Sequence, residues 1–129
     1  MSTAIACTAL LGMLLFGLGL NVSLLRQSRR ILIGHPDDPS DPLYRAVRAH
    51  ANTAEYVPML AVIILWLGAH EPPPWVLGTI VTVTLARFAL AAGLLGWPTM
   101  GRPNPARFLG ALLTYVGGIV LAAAMLLTR

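Results

Sequence analysis

Four long apolar stretches constrain this chain more than any other feature of its sequence. They run from about residue 2 to 25, 43 to 69, 75 to 95 and 105 to 128. Each holds about 20 residues or more, enough for a helix that rises 1.5 Å per residue to cross a hydrocarbon core of about 30 Å. The sequence therefore predicts an all-α membrane protein, a bundle of four transmembrane helices in one domain that covers residues 1–129.

Composition supports a membrane protein over a soluble one. Of the 129 residues, 57% are hydrophobic and only 11% are charged, whereas a soluble domain usually carries about 25% charged residues. The apolar stretches are too many and too long to be buried in a soluble core of this size. The first stretch has no basic segment before it and exceeds the apolar part of a cleaved signal peptide, so we interpret it as a retained helix.

The connections between the stretches are rich in proline, which ends helices. They cover residues 35–42, 71–74 and 97–105. In the first connection, Asp41 followed by Pro42 fits a helix cap with proline at the first helical position.

Arginine is distributed unevenly between the two ends of the predicted bundle. The first connection and its edges hold five of the nine basic residues, all arginine, and the third holds Arg102 and Arg107, whereas the second holds none. By the positive-inside rule, the first and third connections are expected in the cytoplasm and both termini outside it. The same rule explains the arginine cluster in residues 26–30, which favours a membrane flank over a nucleic-acid-binding patch.

A polar stripe opens the second apolar stretch. Arg48, Asn52 and Glu55 follow one another at spacings of four and three, so on a helix they share one face roughly 60° wide, with Tyr56 at its edge. Polar groups at membrane depth are costly and usually face a cavity or a partner. A cation, an amide and a carboxylate suit a small zwitterionic ligand. The alternatives are a structural clamp between helices and, for Tyr56, an interfacial aromatic role.

Two further arginines lie inside the predicted spans. Arg87 is in the middle of the third, where a lone arginine rarely faces lipid, and both a salt bridge with Glu55 and direct ligand contact are open to it. Arg107 begins the fourth, and its alternative role is to reach the lipid headgroups. The histidines and Cys7 show no metal-ligand spacing, so no metal site is predicted.

Small residues recur at every fourth position in two of the spans. These residues are Ala4, Thr8 and Gly12 in the first span and Gly110, Thr114 and Gly118, with Gly117, in the fourth. Such faces let helices approach closely. They are compatible with packing inside the bundle, with contacts between copies, or with both.

The start of the second span resembles the signature of the MAPEG superfamily, the membrane-associated proteins of eicosanoid and glutathione metabolism. The residues that carry the resemblance are Arg48, Asn52, Glu55, Tyr56 and Pro58. Residues 45–50 and 103–110 are similar to small bacterial members, and the resemblance covers nearly the whole chain. It implies a homotrimer in the bacterial inner membrane that binds glutathione between neighbouring subunits, near the cytoplasmic side.

The resemblance also implies which side chains bind glutathione. They hold its backbone and its charged ends, and they are Arg48, Asn52, Glu55, Tyr56 and Arg87.

Catalysis is assigned by the same resemblance to Arg107 and Arg30. Arg107 is similar to an arginine near the start of span four that stabilises the thiolate, and Arg30, or Arg29, matches an arginine after span one that lies near the site. Two positions of span three where the family often has histidine or tyrosine are Leu90 and Leu94 here. Span three therefore lacks hydroxyl or imidazole donors at these two positions.

The expected function is conjugation of the glutathione thiolate to a hydrophobic electrophile, with peroxidase activity as a further expectation. Glutathione is the co-substrate, and the bilayer, the electrophile and two further copies are the expected partners. One alternative is a protein of the same fold that binds glutathione for regulation without turnover, which the two leucines of span three favour. Another is a structural trimer whose polar stripe only fixes helix packing.

Overall fold

The computed structural model describes residues 1–127, and all regular structure in them is helical. The helices are α1 (Ser2–Arg29), α2 (Pro42–Ala69), α3 (Pro74–Gly96) and α4 (Pro105–Leu127). Each is long and apolar enough to cross a membrane, as fits an integral multi-pass membrane protein. The predicted all-α class is confirmed, while Thr128, the predicted end of the fourth span, lies outside the described residues.

Asp41 caps α2, as its sequence context predicts. Its carboxylate accepts hydrogen bonds from the backbone N–H groups of Leu43 at 2.7 Å and Tyr44 at 3.2 Å. It also accepts from the Arg29 guanidinium at 2.6 Å, which joins the end of α1 to the start of α2. Arg29 lowers the pKa of Asp41 below its ordinary value of 3.8. The ion pair therefore stabilises the folded state at pH values above 3.8, and this stabilisation is lost as the pH falls through the lowered pKa of Asp41.

The loop between α1 and α2 meets the loop between α3 and α4 at one end of the bundle. The backbone N–H of Met100 donates to the Pro39 carbonyl at 3.0 Å. Arg45 of α2 donates to the Leu95 carbonyl at 2.9 Å and also to the Trp97 carbonyl. These bonds satisfy carbonyls at the end of α3 that have no partner within the helix. The start of α2 is thereby fixed against the end of α3.

The largest apolar cluster lies towards the other end of the bundle. All four helices contribute fully buried side chains to it, including Leu11, Ile64, Ile80 and Leu121. Because short loops join the helices into an up-and-down bundle, α2 and α4 run in the same direction. The polar starts of α2 and α4 therefore lie together at the end where the two loops meet.

Glycines of α4 allow close packing against α3. A Cβ added at Gly110 would lie 2.8 Å from the Ala86 carbonyl oxygen and from the Leu90 backbone nitrogen, and one added at Gly117 would collide with the Val83 side chain. Both glycines are buried. This part of the small-residue face of α4 is therefore used for packing within the chain.

We expect Gly110→Ala to destabilise the bundle by about 1–3 kcal/mol, because the added methyl group presses on the backbone of α3. Gly78 of α3 is the matched control, since a Cβ there meets no atom within 4 Å. Gly78→Ala should be neutral or stabilising by up to about 1 kcal/mol, because alanine favours the helix. Thermal unfolding of both variants in detergent measures the difference. Equal unfolding temperatures for the two variants would contradict the tight contact at Gly110.

Candidate functional site

A polar cavity of about 190 Å³ opens between α2, α3 and α4, near the end of the bundle where the loops meet. Its walls are formed by Arg48, Asn52, Leu90, Leu94, Met100, Arg107, Ala111 and Tyr115. The structure therefore brings together three of the predicted site residues, two from α2 and one from α4. The two leucines that replace the donors of span three line the same cavity.

Arginine and tyrosine stand in matching positions on α2 and α4. Arg48 and Arg107 are separated by 59 residues, and so are Tyr56 and Tyr115. The spacing of eight residues from each arginine to the tyrosine of its helix corresponds to a rise of about 12 Å. The space between the helices therefore has a cationic end near the loops and a hydroxyl end deeper in the bundle.

Tyr115 is a site residue that the sequence analysis missed. Its hydroxyl oxygen lies 3.5 Å from that of Tyr56, which donates to it, and the two ring centroids are 5.5 Å apart. Tyr115 follows Arg107 by two steps of four residues, so both lie on the face of α4 that Ala111 also shares. That spacing is the signal that could have identified it. A tyrosine from α4 thus lines the cavity in which α3 presents Leu90 and Leu94.

Arg87 is buried, with 1% of its surface exposed, and its hydrogen bonds hold Asn52 in place. Its Nη2 donates to the Asn52 side-chain oxygen at 2.9 Å, the Asn52 carbonyl at 3.1 Å and the Thr53 hydroxyl at 3.3 Å. The guanidinium carbon lies 5.4 Å from the centre of the Tyr56 ring, a cation–π contact. The bonds to Asn52 and Thr53 take the place of the salt bridge with Glu55 that the sequence left open. Arg87 therefore does not line the cavity itself but holds Asn52, which does.

Arg107 is half-buried and lies in the first turn of α4, which Asn104 caps. The Asn104 side-chain oxygen accepts from the backbone N–H groups of Ala106 at 2.9 Å and Arg107 at 3.3 Å. The Asn104 side-chain amide donates to the Gly93 carbonyl of α3 at 2.7 Å. The Arg107 Nη1 donates to the Met100 carbonyl at 3.1 Å. The guanidinium is thus held at the loop end of the cavity.

Four predicted site residues do not line the polar cavity of their own chain: Tyr56, Arg87, Glu55 and Arg30. Glu55 is exposed on α2 and lines a neighbouring apolar groove instead. Arg30 is exposed at the C-cap of α1, where its backbone is left-handed with φ 55°. Arg29, the alternative to Arg30, is bound to Asp41. Of the two arginines that follow span one, Arg30 is therefore the one not held by that salt bridge.

The apolar groove has a volume of about 540 Å³ and lies between α2 and α4. Its walls are formed by Glu55, Tyr56, Met59, Leu60, Ile63, Thr114, Tyr115, Gly118, Ile119 and Ala122. Among the described residues, Tyr115 lines both this groove and the polar cavity. The arrangement can hold a charged molecule and an apolar molecule side by side, with their boundary at Tyr115.

These features define a four-helix membrane protein with a cationic cavity beside an apolar groove. Comparison with known proteins then gives the family: the MAPEG family matches residues 4–127, so the chain belongs to the MAPEG family, as the sequence predicted. No curated protein matches the chain significantly. No solved structure matches it significantly.

Proposed function

We propose that this chain is a membrane-bound glutathione transferase-like enzyme that joins glutathione to hydrophobic electrophiles. The observation that carries the proposal is the polar cavity where Arg48, Asn52 and Arg107 converge, next to an apolar groove. Membership of the MAPEG family, which includes glutathione transferases and related proteins, supports it. Peroxidase activity would use the same thiolate at the same place.

The proposed mechanism is stabilisation of a thiolate by a nearby cation. A thiol with a pKa near 8.5 is mostly protonated at pH 7, and the thiolate is the nucleophile. A guanidinium within hydrogen-bond reach favours the thiolate, and each pKa unit corresponds to about 1.4 kcal/mol. In the proposal Arg107 has this role, while Arg48 and Asn52 hold a carboxylate and the peptide backbone of glutathione. Arg87 contributes by fixing Asn52.

The proposal includes a homotrimer with glutathione bound between neighbouring subunits. Glu55 supports this arrangement, because an exposed carboxylate at membrane depth is costly unless another group covers it. Arg30 supports it as well, since its exposed position at the end of α1 leaves it able to reach a neighbouring copy. In the trimer, Arg30 of one copy would approach the cavity of the next, and the neighbour would cover Glu55.

Purified protein with reduced glutathione and a chromogenic electrophile tests the proposed activity. Product formation above the uncatalysed rate supports a transferase. Binding of glutathione without product selects the regulatory alternative, which Leu90 and Leu94 in the cavity wall favour. If neither glutathione binding nor product is observed, the structural alternative is selected, in which the polar stripe only fixes the packing of the helices.

We expect the loop between α1 and α2 to face the cytoplasm of a bacterial cell and both termini to lie outside it. The arginine-rich loop ends are the physical reason. Labelling single cysteines with a membrane-impermeant reagent measures this, in a Cys7→Ala background. Ser40 and Glu71 are suitable positions because both are exposed, in the first and second loops. Labelling of Ser40→Cys from outside intact cells, with Glu71→Cys protected, would contradict this orientation and indicate the opposite one.

A further inference from the structure

Tyr115 lies at the boundary between the polar cavity and the apolar groove, with 47% of its surface exposed. Its partner Tyr56 is half-buried and packs beneath the Arg87 guanidinium. Tyr115 is therefore the more exposed residue of the pair, and it borders both spaces.

The apolar groove offers few hydrogen-bond donors to a molecule that lies in it. The residues of its wall that carry a hydroxyl are Tyr56, Thr114 and Tyr115. The Thr114 hydroxyl donates to the Gly110 carbonyl at 2.7 Å, within its own helix. An ionised Glu55 only accepts hydrogen bonds. A polar atom on an apolar molecule in the groove therefore finds its donor in the tyrosine pair.

One proton of the tyrosine pair is available to a third group. Two hydroxyls carry two protons, and the bond between Tyr56 and Tyr115 uses one of them. In that bond Tyr56 donates and Tyr115 accepts, so the proton of Tyr115 remains.

We infer that Tyr115 binds the carbonyl oxygen of an α,β-unsaturated carbonyl compound whose alkyl chain lies in the apolar groove. The inference rests on the proposed function, since it requires a thiolate in the polar cavity. With the carbonyl oxygen held at the boundary, the alkyl chain would extend along Met59, Ile63 and Ile119. The β-carbon would then lie beside Tyr115, so the thiolate sulfur must reach from the Arg107 end of the polar cavity to the Tyr115 end. Tyr115 would thus select electrophiles that carry an oxygen acceptor beside the reactive carbon.

The reaction adds the thiol across the double bond without a leaving group. The thiolate sulfur bonds to the β-carbon, and the electrons of the double bond move through the conjugated system to the carbonyl oxygen. That oxygen becomes negative and takes the proton of Tyr115. The enol then gains a proton from water at the α-carbon and returns its hydroxyl proton to Tyr115. A donor already placed where this charge develops is catalytically effective.

Tyr115→Phe removes the hydroxyl and keeps the ring, so it tests the inference. The substrates are oct-2-enal, called octenal below, and octyl iodide, which have the same chain length. Displacement of iodide from octyl iodide develops no charge on an oxygen. We expect turnover of octenal to fall by about 100-fold, the lower end of the effect of losing one donor to a developing oxyanion, because Tyr115 is partly exposed. Turnover of octyl iodide should change by less than about twofold, because its transition state does not use this donor.

Tyr44→Phe is the matched control, because the Tyr44 ring packs against His35 at a centroid distance of 4.9 Å and lines neither cavity. Its rates with both substrates should equal those of the parent. An equal loss with both substrates in Tyr115→Phe would mean that Tyr115 is structural, and no loss with either would remove it from the site. Both results overturn the inference.

A binding measurement tests the same contact without turnover. Methyl hexyl ketone does not react with thiols, and its carbonyl stretching band moves to lower frequency when the oxygen accepts a hydrogen bond. We expect the shifted band with the parent and with Tyr44→Phe, and its loss with Tyr115→Phe. No shift with the parent, or a shift that survives in Tyr115→Phe, overturns the inference. A Tyr115-dependent shift in a protein that neither binds glutathione nor consumes octenal supports the groove site and removes the proposed transferase activity.

Discussion

Arg107→Leu is expected to lower turnover of glutathione at pH 7 by about ten- to a hundredfold. Leucine keeps most of the packing at the start of α4 and removes the cation. Losing one charge-assisted hydrogen bond of about 1.5–3 kcal/mol should raise the pKa of the bound thiol by roughly one to two units. A raised pKa means less thiolate at pH 7, so activity should partly recover at higher pH. Glutathione binding should weaken little, because Arg48 and Asn52 remain.

The direct measurement is thiolate absorbance in the ultraviolet, followed against pH for the parent and for Arg107→Leu. Arg102→Leu is a suitable control, because Arg102 is exposed in the same loop region and does not line the polar cavity. An unchanged titration in Arg107→Leu would remove Arg107 from the mechanism and direct attention to Arg30. Since Arg107 also holds the Met100 carbonyl, thermal unfolding of the variant should be compared with the parent to exclude a disturbed loop.

The fold was predictable because its determinants are local in the sequence. The apolar runs give the spans, and the cap at Asp41 depends only on residues that follow it within one turn. The stripe of Arg48 and Asn52 was predictable for the same reason, since helical periodicity places both on one face. These residues line the cavity as their spacing indicates.

The partners of the site residues were less predictable, because they depend on how separate helices pack. The burial of Arg87 follows from its place in an apolar span, but its bonds to Asn52 depend on the packing of α2 against α3. The pairing of Tyr56 with Tyr115 likewise depends on the register of two helices that are 59 residues apart in the chain. Local periodicity contains no information on that register.

The position of Glu55 shows a further limit of helical periodicity. Glu55 shares the face of Arg48 but lies seven residues further along α2, a rise of about 10 Å. Tyr115 lines the polar cavity at a similar depth on α4, whereas Glu55 lines only the apolar groove. A stripe predicts the face of a helix, whereas the cavity that each residue of that face lines is set by the neighbouring helices.

Glutathione is expected to raise the melting temperature of the purified protein, and Arg48→Ala is expected to abolish the rise. Ligand at about 100 times its Kd stabilises a folded protein by about 2.7 kcal/mol. Arg48 is exposed and lines the cavity, so its removal should cost ligand contacts with little loss of packing. A variant that unfolds at the temperature of the ligand-free parent, with or without glutathione, is the predicted result. A full rise in Arg48→Ala would mean that glutathione does not use this cavity.

Glu55→Ala is expected to abolish the same rise, since the proposed site uses Glu55 to hold a charged end of the ligand. Its matched control is Glu71→Ala, because Glu71 is also exposed but lies in the loop between α2 and α3, at the opposite end of the bundle. Glu71→Ala should keep the full rise. If Glu55→Ala binds glutathione as well as the parent does, the ligand is held by Arg48, Asn52 and Arg107 within the polar cavity alone. Glu55 would then belong to the groove beside Tyr115, where a carboxylate at membrane depth still requires a neighbouring copy to cover it.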